Sequence, residues 1–433
     1  MDLMEESIPK SWRRAALGDI AEVERGKFTH RPRNDPRFYG GGIPFVQTGD
    51  VANSQGRIRT YSQTLNELGL SVSKTFPAGV ILITIAANIG FTGILEFESA
   101  CPDSLVGIIP RDGVDAHFLH FFLVTQQPEM DRLAPKGTQK NINLQFLRPW
   151  PIVLPPLSEQ RRIAGVLGLV QRAVEQQERL LALVAELKQT LLHHLFTHGL
   201  RGEPQKPTDL GPIPQSWELR SCDELCEMIS VGVVVRPASH YVPTGVPAFR
   251  SFNVREDRLN PSDLVYFSEE TNNTKLVKSK LRKGDVLVVR TGYPGTSCVV
   301  PDEYDGANCI DLVIVRPKGA LVRSGFLSRF FNTPAGKRQA VAAKHGLAQQ
   351  HLNVAAVKRT QIPVPSLEEQ TEIDAAMETV QRKLALIEAR KNALTSLFRT
   401  LLHQLMTAQL RVSDLDVESL LSPAVPEPNA AQP

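Results

Sequence analysis

Leu154-Pro155-Pro156-Leu157-Ser158-Glu159-Gln160 opens a long apolar-striped segment, and Val364-Pro365-Ser366-Leu367-Glu368-Glu369-Gln370 opens another 210 residues later. In both, prolines are followed by a hydroxyl near the cap position and a carboxylate in the first turn, which is how a helix begins. Downstream of the first opening, apolar residues recur at spacings of three and four: Ile163, Leu167, Val170, Val174, Leu181, Val184, Leu191 and Leu195, interrupted at Gln177 and Lys188. Downstream of the second they run Ile373, Met377, Val380, Leu384, Ile387, Leu394, Phe398, Leu401 and Leu405, interrupted at Lys391. Each stripe predicts a helix of about forty residues, ~60 Å long at 1.5 Å per residue. Sustained over about five heptads, the stripes predict a coiled-coil pair. The competing arrangement buries each helix in the core of its own domain, but so long a helix has more surface than one small domain covers. Gly199 and Gly202-Glu203-Pro204 end the first helix.

Working outward from these two openings, the rest of the chain also repeats. Ile8-Pro9-Lys10-Ser11-Trp12 recurs as Ile213-Pro214-Gln215-Ser216-Trp217, and Gly42-Ile43-Pro44 as Gly245-Val246-Pro247. Gly79-Val80-Ile81-Leu82 recurs as Gly284-Asp285-Val286-Leu287, Gly90 as Gly295, and Leu191-Leu192-His193 as Leu401-Leu402-His403. The order is kept and the offset drifts only with small insertions. This is duplication of a whole domain of roughly 200 residues, far beyond the 20–50-residue period of a solenoid. In each copy a part rich in Gly, Pro and β-branched runs precedes the helix. Val80–Ile85, Val286–Val289 and Leu312–Val315 read as strands, and 116–124 and 325–331 as helical patches. The fold class is therefore α+β: two homologous mixed domains in tandem, separated by two long helices. The boundaries read as a first globular domain over 1–154, a central helix over 155–203, a second globular domain over 204–363, a C-terminal helix over 364–411 and a disordered tail over 412–433.

Composition narrows the class without naming it. The chain has 433 residues, 42% hydrophobic and 22% charged, which excludes global disorder. Its 49 basic and 46 acidic residues leave a net charge of +3, so any nucleic-acid affinity must come from local patches. Five scattered cysteines are no disulfide framework and fit a reducing, cytoplasmic compartment. Met1 to Lys10 lacks the apolar core of a signal peptide. Thr75 to Leu95 is charge-free and near the length of a membrane span. It contains Pro77, Asn88 and three glycines, however, and its copy carries Asp285 and Arg290, so it reads as a buried strand and turn.

Two similar globules on a helical spacer make a bivalent reader, and DNA, whose half-sites repeat in space, is a natural ligand for one. The chain resembles the specificity subunits of type I restriction–modification enzymes. The resemblance lies in the Ile-Pro-x-Ser-Trp openings at Ile8 and Ile213, Gly-Asp-Val-Leu-Val at Gly284, Gly137-Thr138-Gln139-Lys140-Asn141-Ile142, and Pro-Pro-Leu-x-Glu-Gln at Pro155. It covers roughly residues 8 to 411. It implies that each domain reads one half of a bipartite site in double-stranded DNA. It further implies that the helices pack antiparallel, fix the gap and dock two methyltransferase subunits, which recruit two restriction subunits. S-adenosylmethionine, ATP and Mg2+ would sit on those partners and none on this chain. The second copy departs from the family run, reading Lys344-His345-Gly346-Leu347-Ala348-Gln349-Gln350-His351 where the first has Gly-Thr-Gln-Lys-Asn.

Candidate DNA contacts follow from residue chemistry. Arg25, Lys27, His30, Arg31, Arg33 and Arg37, with Phe28 among them, form a basic run suited to phosphates, and Lys275, Lys278, Lys280, Arg282 and Lys283 form a second. Gln47 and Thr48 end a strand-like run whose copy ends at Arg250 and Asn253; Gln and Asn suit adenine edges and Arg suits guanine. Thr138, Gln139 and Lys140, with Gln349 and Gln350 as counterparts, would bring polar loops to DNA. Asn88, Arg290, Thr291 and Tyr293 lie on post-strand loops. Each of these groups also suits an ordinary solvated loop or turn. Trp12 and Trp217 read as core anchors. No metal site is expected: Cys222 and Cys226 have the wrong spacing for a zinc pair, and His193, His194 and His198 suit a helix C-terminus. No Gly-x4-Gly-Lys phosphate loop, adenine-methyltransferase Asn-Pro-Pro-Tyr/Phe motif or nucleotide fingerprint is present, so the chain is expected to be non-catalytic. The alternatives are a specificity subunit with a fused methyltransferase–nuclease partner, a coiled-coil protein scaffold that does not bind DNA, and a DNA-modifying enzyme of unrecognised type.

Overall fold

A computed structural model describes residues 9–135, 140–342 and 352–415. The chain divides into two compact units, residues 1–176 with 390–433, and residues 177–389. Each long helix is thereby shared between them, so that a unit holds one recognition domain, the first half of the helix that follows it and the last half of the other helix.

In the first unit a five-stranded sheet contains β1 (Ala21–Arg25), β2 (Arg57–Ile58), β3 (Ile81–Thr84), β4 (Thr92–Leu95) and β5 (Leu105–Pro110). Their order is β1-β5-β3-β4-β2, antiparallel except for the β2–β4 pair. The charge-free stretch thus forms β3, a turn and β4, and all eight strand residues are buried. Among the described residues no helix is long and apolar enough to cross a membrane. Helix α1 (Ala116–Leu133) and the long helix α2 (Leu157–His198) follow. The second unit repeats the plan with β6 (Cys226–Val231), β7 (Val286–Val289), β8 (Ser297–Val299) and β9 (Leu312–Pro317), ordered β6-β9-β7-β8 and fully antiparallel. Helices α3 (Ser324–Asn332) and α4 (Leu367–Met406) complete it.

The repeated motifs recur because they meet. Trp12 Nε1 donates to Glu159 Oε2 at 3.0 Å, and Trp217 Nε1 donates to Glu369 Oε2 at 3.2 Å. The neighbouring glutamine secures the shorter helix of each domain. Gln160 accepts from the Asp115 amide and donates to the Gly113 and Pro155 carbonyls; Gln370 accepts from the Arg323 amide and donates to Leu321 and Pro365. The same glutamates hold the returning end of the other helix. Arg411 pairs with Glu159 at 3.0 and 3.1 Å, and the Leu200 amide donates to Glu369 at 2.7 Å. Within the second unit, Lys188 meets Gln381 while Leu200 meets Glu369, so the two helix halves run antiparallel.

The helix stripes do not form one uniform seam. Ile163 and Leu167, together with Leu405 and Met406, sit in the core of the first recognition domain. Ile373 and Met377, together with Leu192, Leu195 and Phe196, sit in the core of the second. The middle positions Val170, Val174, Leu181 and Val184 are only half-buried. The ends of each stripe are therefore domain core, and only the middle is left to helix pairing. Residues 412–414, read from sequence as part of the tail, are ordered into the first unit. Val412–Asp414 is a 3-10 turn whose Val412 is buried in the first core, because the apolar residue after Arg411 docks once Arg411 is fixed to Glu159.

His120 on α1 is 3% exposed, with Nδ1 3.1 Å from Thr92 Oγ1. Burial pushes its pKa down to about 3. Below about pH 6.5 the unfolded chain binds a proton there that the folded chain does not. Stability of the first unit is therefore expected to fall as pH drops from 6.5 toward 3, by up to about 1.4 kcal/mol per pH unit. Urea midpoints at pH 7.5 and 5.5 check this: His120→Gln should flatten the slope, and an equal slope in both proteins would refute it.

Candidate nucleic-acid interface

The basic run of the first domain is organised by carboxylates. Arg25 Nε donates to the Asp103 carbonyl at 2.6 Å, Arg31 pairs with the Asp103 carboxylate at 3.1 Å, and Arg33 binds the same carboxylate. Arg37 pairs with Asp35 at 2.7 Å and holds that carboxyl well below its ordinary range. His30 reaches Asp35 at 3.1 Å and stacks on Phe38, while Phe28 is core. Lys27 is exposed. Ion pairs so open to solvent contribute little to stability, so a phosphate can replace the carboxylate.

Two candidates distant in sequence come together here. Arg33 and Gln47 line one cavity of about 560 Å³ with Asn34, Tyr39 and Gln63. Gln47 Nε2 is buried there and meets no hydrogen-bond acceptor among the described residues. Thr48 is half-buried and opens the short helix Thr48–Ala52. In the second domain Arg250 takes the place of Gln47. Its guanidinium lies 4.5 Å from the Phe252 ring centre, and Nη2 donates to the Asp263 carbonyl at 2.5 Å. Asn253 must be removed from the candidates. It is fully buried, accepts from the Arg250 amide and donates to the Asn260 and Ser262 carbonyls, so no polar group is left for DNA. Its twin Asp50 accepts from the Gln47 amide in the same way.

The post-strand loops carry the other candidates. Asn88 is exposed beyond β3, and Tyr293 is 80% exposed beyond β7. Arg290 is committed within the fold, to the Leu352 carbonyl at 2.9 Å and to Asp311 at 2.5 Å, and Thr291 reaches Asp311 at 3.3 Å. Lys280 donates to Asn273 at 2.8 Å, and Lys140 pairs with Asp131 at 2.7 Å. Thr138, Gln139, Gln349 and Gln350 lie outside the described residues. The segments that follow them are tethered alike, however. Asn141 bridges Ala86 and the Ile142 amide donates to Ile85, while the Leu352 amide donates to Arg290. Each domain thus joins this segment to its post-strand loop.

Sequence reading missed Asp103 and Asp311, the carboxylates that order the basic side chains. The signal was there: Cys101-Pro102-Asp103 recurs as Cys309-Ile310-Asp311. It also missed the cavity of about 550 Å³ beside Tyr293, whose lining gathers residues from segments far apart in the chain.

Both copies match the sequence profile of the type I restriction modification DNA specificity domain, over residues 9–184 and 214–396. The chain belongs to this family. The type I restriction enzyme EcoBI specificity subunit of Escherichia coli is 22% identical over 444 residues, covering 95% of this chain and 90% of that protein. The MjaIX specificity subunit of Methanocaldococcus jannaschii is 25% identical over 238 residues, covering 52% of this chain and about half, 53%, of that protein's length. Among solved structures, the type I restriction-modification S subunit from M. genitalium superposes with a TM-score of 0.58 at 15% identity, covering 94% of this chain and 98% of that one. A chain from a second type I restriction–modification structure gives 0.56 at 20% identity, covering 93% and 100%. The specificity family's fold, two mixed domains in tandem with two long helices, is thus the fold of this chain.

Proposed function

We propose that this chain is the sequence-recognition subunit of a cytoplasmic type I restriction–modification complex and is itself non-catalytic. Each domain reads one half of a bipartite site in double-stranded DNA, and the long helices set the gap. Two methyltransferase subunits dock on those helices, and two restriction subunits join them. S-adenosylmethionine, ATP and Mg2+ are held by those partners. One observation carries the reading: a constant frame presents different side chains at equivalent tips, Gln47 and Asn88 in one domain and Arg250 and Tyr293 in the other. Two readers that differ only at their tips suit two different half-sites. Leu180, Leu183 and Leu187, exposed 37%, 63% and 56% at helical spacing on α2, support docking of an apolar partner surface.

Exchanging residues 9–154 for those of a relative should change only one half of the methylated motif, read by sequencing the host's modified DNA. A change in both halves, or in neither, would overturn the assignment. Binding of the assembled complex should also weaken with salt, roughly a thousandfold between 50 and 200 mM for about six phosphate contacts.

A further inference from the structure

The second recognition domain holds a site that its twin lacks. Tyr293 stands on the tip between β7 and β8, 80% exposed. The tip is not a loose loop. Gly292 and Gly295 take φ of 88° and 90°, the Gly295 amide donates to the Val289 carbonyl at 3.0 Å, and the Thr296 amide donates to the Tyr293 carbonyl at 3.2 Å. The phenol ring is therefore held in water by a closed turn, with its backbone ordering already met. Beside it lies a cavity of about 550 Å³ lined by Phe252, Arg255, Glu256, Thr291, Tyr293 and Lys337, in which Lys337 is ion-paired with Glu256. That volume is typical of small-ligand sites, ~300–1,000 Å³. Phe252 is 37% exposed, with the Arg250 guanidinium over its ring. In the first domain Asn88 replaces Tyr293 and Gly49 replaces Phe252, so neither ring is present.

We propose that the cavity between Tyr293 and Phe252 receives an unstacked nucleobase of the bound duplex, with the exposed Arg255 facing an adjacent phosphate. This rests on the DNA-recognition reading above. Three observations select a nucleobase. Two aromatic rings border one cavity, the exposed Arg255 lines it beside the Lys337–Glu256 pair, and the cavity adjoins Thr291 and Arg250, which belong to the candidate interface. Every base has a face that stacks on an aromatic ring, whatever its sequence identity. The polyanionic backbone matches Arg255.

The test uses the full chain assembled with its methyltransferase subunits and duplexes carrying the methylated site, with one mismatch placed at each position of the second half-site in turn. At one position the mismatch should tighten binding about tenfold, because the cost of unpairing has already been met. Mismatches elsewhere should weaken binding. Tyr293→Ala should abolish the gain and lower affinity for the matched duplex about tenfold, while Tyr293→Phe keeps both. Thermal melting should be unchanged, since the side chain is exposed. Weakening at every position, or a gain that survives Tyr293→Ala, overturns the base site while leaving DNA recognition intact. Unchanged DNA affinity in Tyr293→Ala together with weaker retention of the methyltransferase subunits overturns it in favour of a protein side chain. Failure of the wild-type complex to bind the matched duplex overturns the DNA-recognition reading itself.

Discussion

Lys188→Ala is expected to destabilise the second unit by about 3–5 kcal/mol, the cost of breaking a buried ion pair from one side. Lys188 Nζ lies 2.6 Å from Asp257 Oδ2, and both side chains are 7% exposed. The ammonium also donates to Gln381 at 2.9 Å, and Asp257 accepts from Asn332 Nδ2 at 3.1 Å. Removing the lysine leaves Asp257, in a buried place, with Asn332 as a neutral donor and only the more distant charge of Arg329. Adding Asp257→Asn should recover most of the loss, because no uncompensated charge remains and asparagine tolerates the φ of 61° at that position. Urea unfolding of the two single variants and the double variant gives the coupling directly. A loss below about 1 kcal/mol in Lys188→Ala would show that the pair contributes nothing.

The helix stripe is legible from sequence as a helix, but Lys188 reads there only as an interruption. Its meaning lies in the twin comparison. At equivalent positions the first unit has apolar or small groups where the second has charges. Phe121 packs edge-on against Phe398, and Ala164 and Gly168 lie on the facing helix. In the second unit these four become Arg329, Lys188, Asp374 and Glu378, and Arg329 ion-pairs with both carboxylates. Gly325 leaves room for Asp374, where the first unit has His117 opposite Ala164. Likewise Val80 and Ile109 pack in one apolar cluster, while their counterparts Asp285 and Arg316 form a two-pronged pair at 2.7 Å. Periodicity identifies the elements because burial demands apolar stripes. It cannot show that a charge on one helix is matched by an opposite charge 45 or 69 residues away.

Candidate contacts were legible to the extent that their backbone decides exposure. Tyr293 and Asn88 follow strands and end on turns closed by Gly295 and Gly90, so they emerge where the sequence places them. Asn253 shows the opposite. A short amide after a strand end can read a base or pin the turn, and here its neighbours offer an amide and two carbonyls within reach. Arg25, Arg31 and Arg33 are legible as basic but not as tied to Asp103, which returns to them only through the sheet.

Trp217→Ala is expected to cost about 3–5 kcal/mol as well, by a different route. The indole is fully buried and meets Phe196 and Phe326 edge-on, so its removal opens a cavity beneath both helix halves of the second unit. It also leaves Glu369, itself 3% exposed, with the Leu200 amide as its remaining hydrogen-bond donor. Trp217→Phe separates the two effects: it keeps most of the packing and loses the donated hydrogen bond, at about 1–3 kcal/mol. The equivalent Trp12→Ala should cost less. Trp12 is 7% exposed, and its glutamate, Glu159, keeps the two bonds from Arg411. The ordering of urea midpoints, Trp217→Ala below Trp12→Ala, therefore tests whether the first-turn glutamate depends on its tryptophan where it has no arginine in direct contact. If the two variants are equally destabilised, cavity volume alone sets the loss and the glutamate bond is incidental.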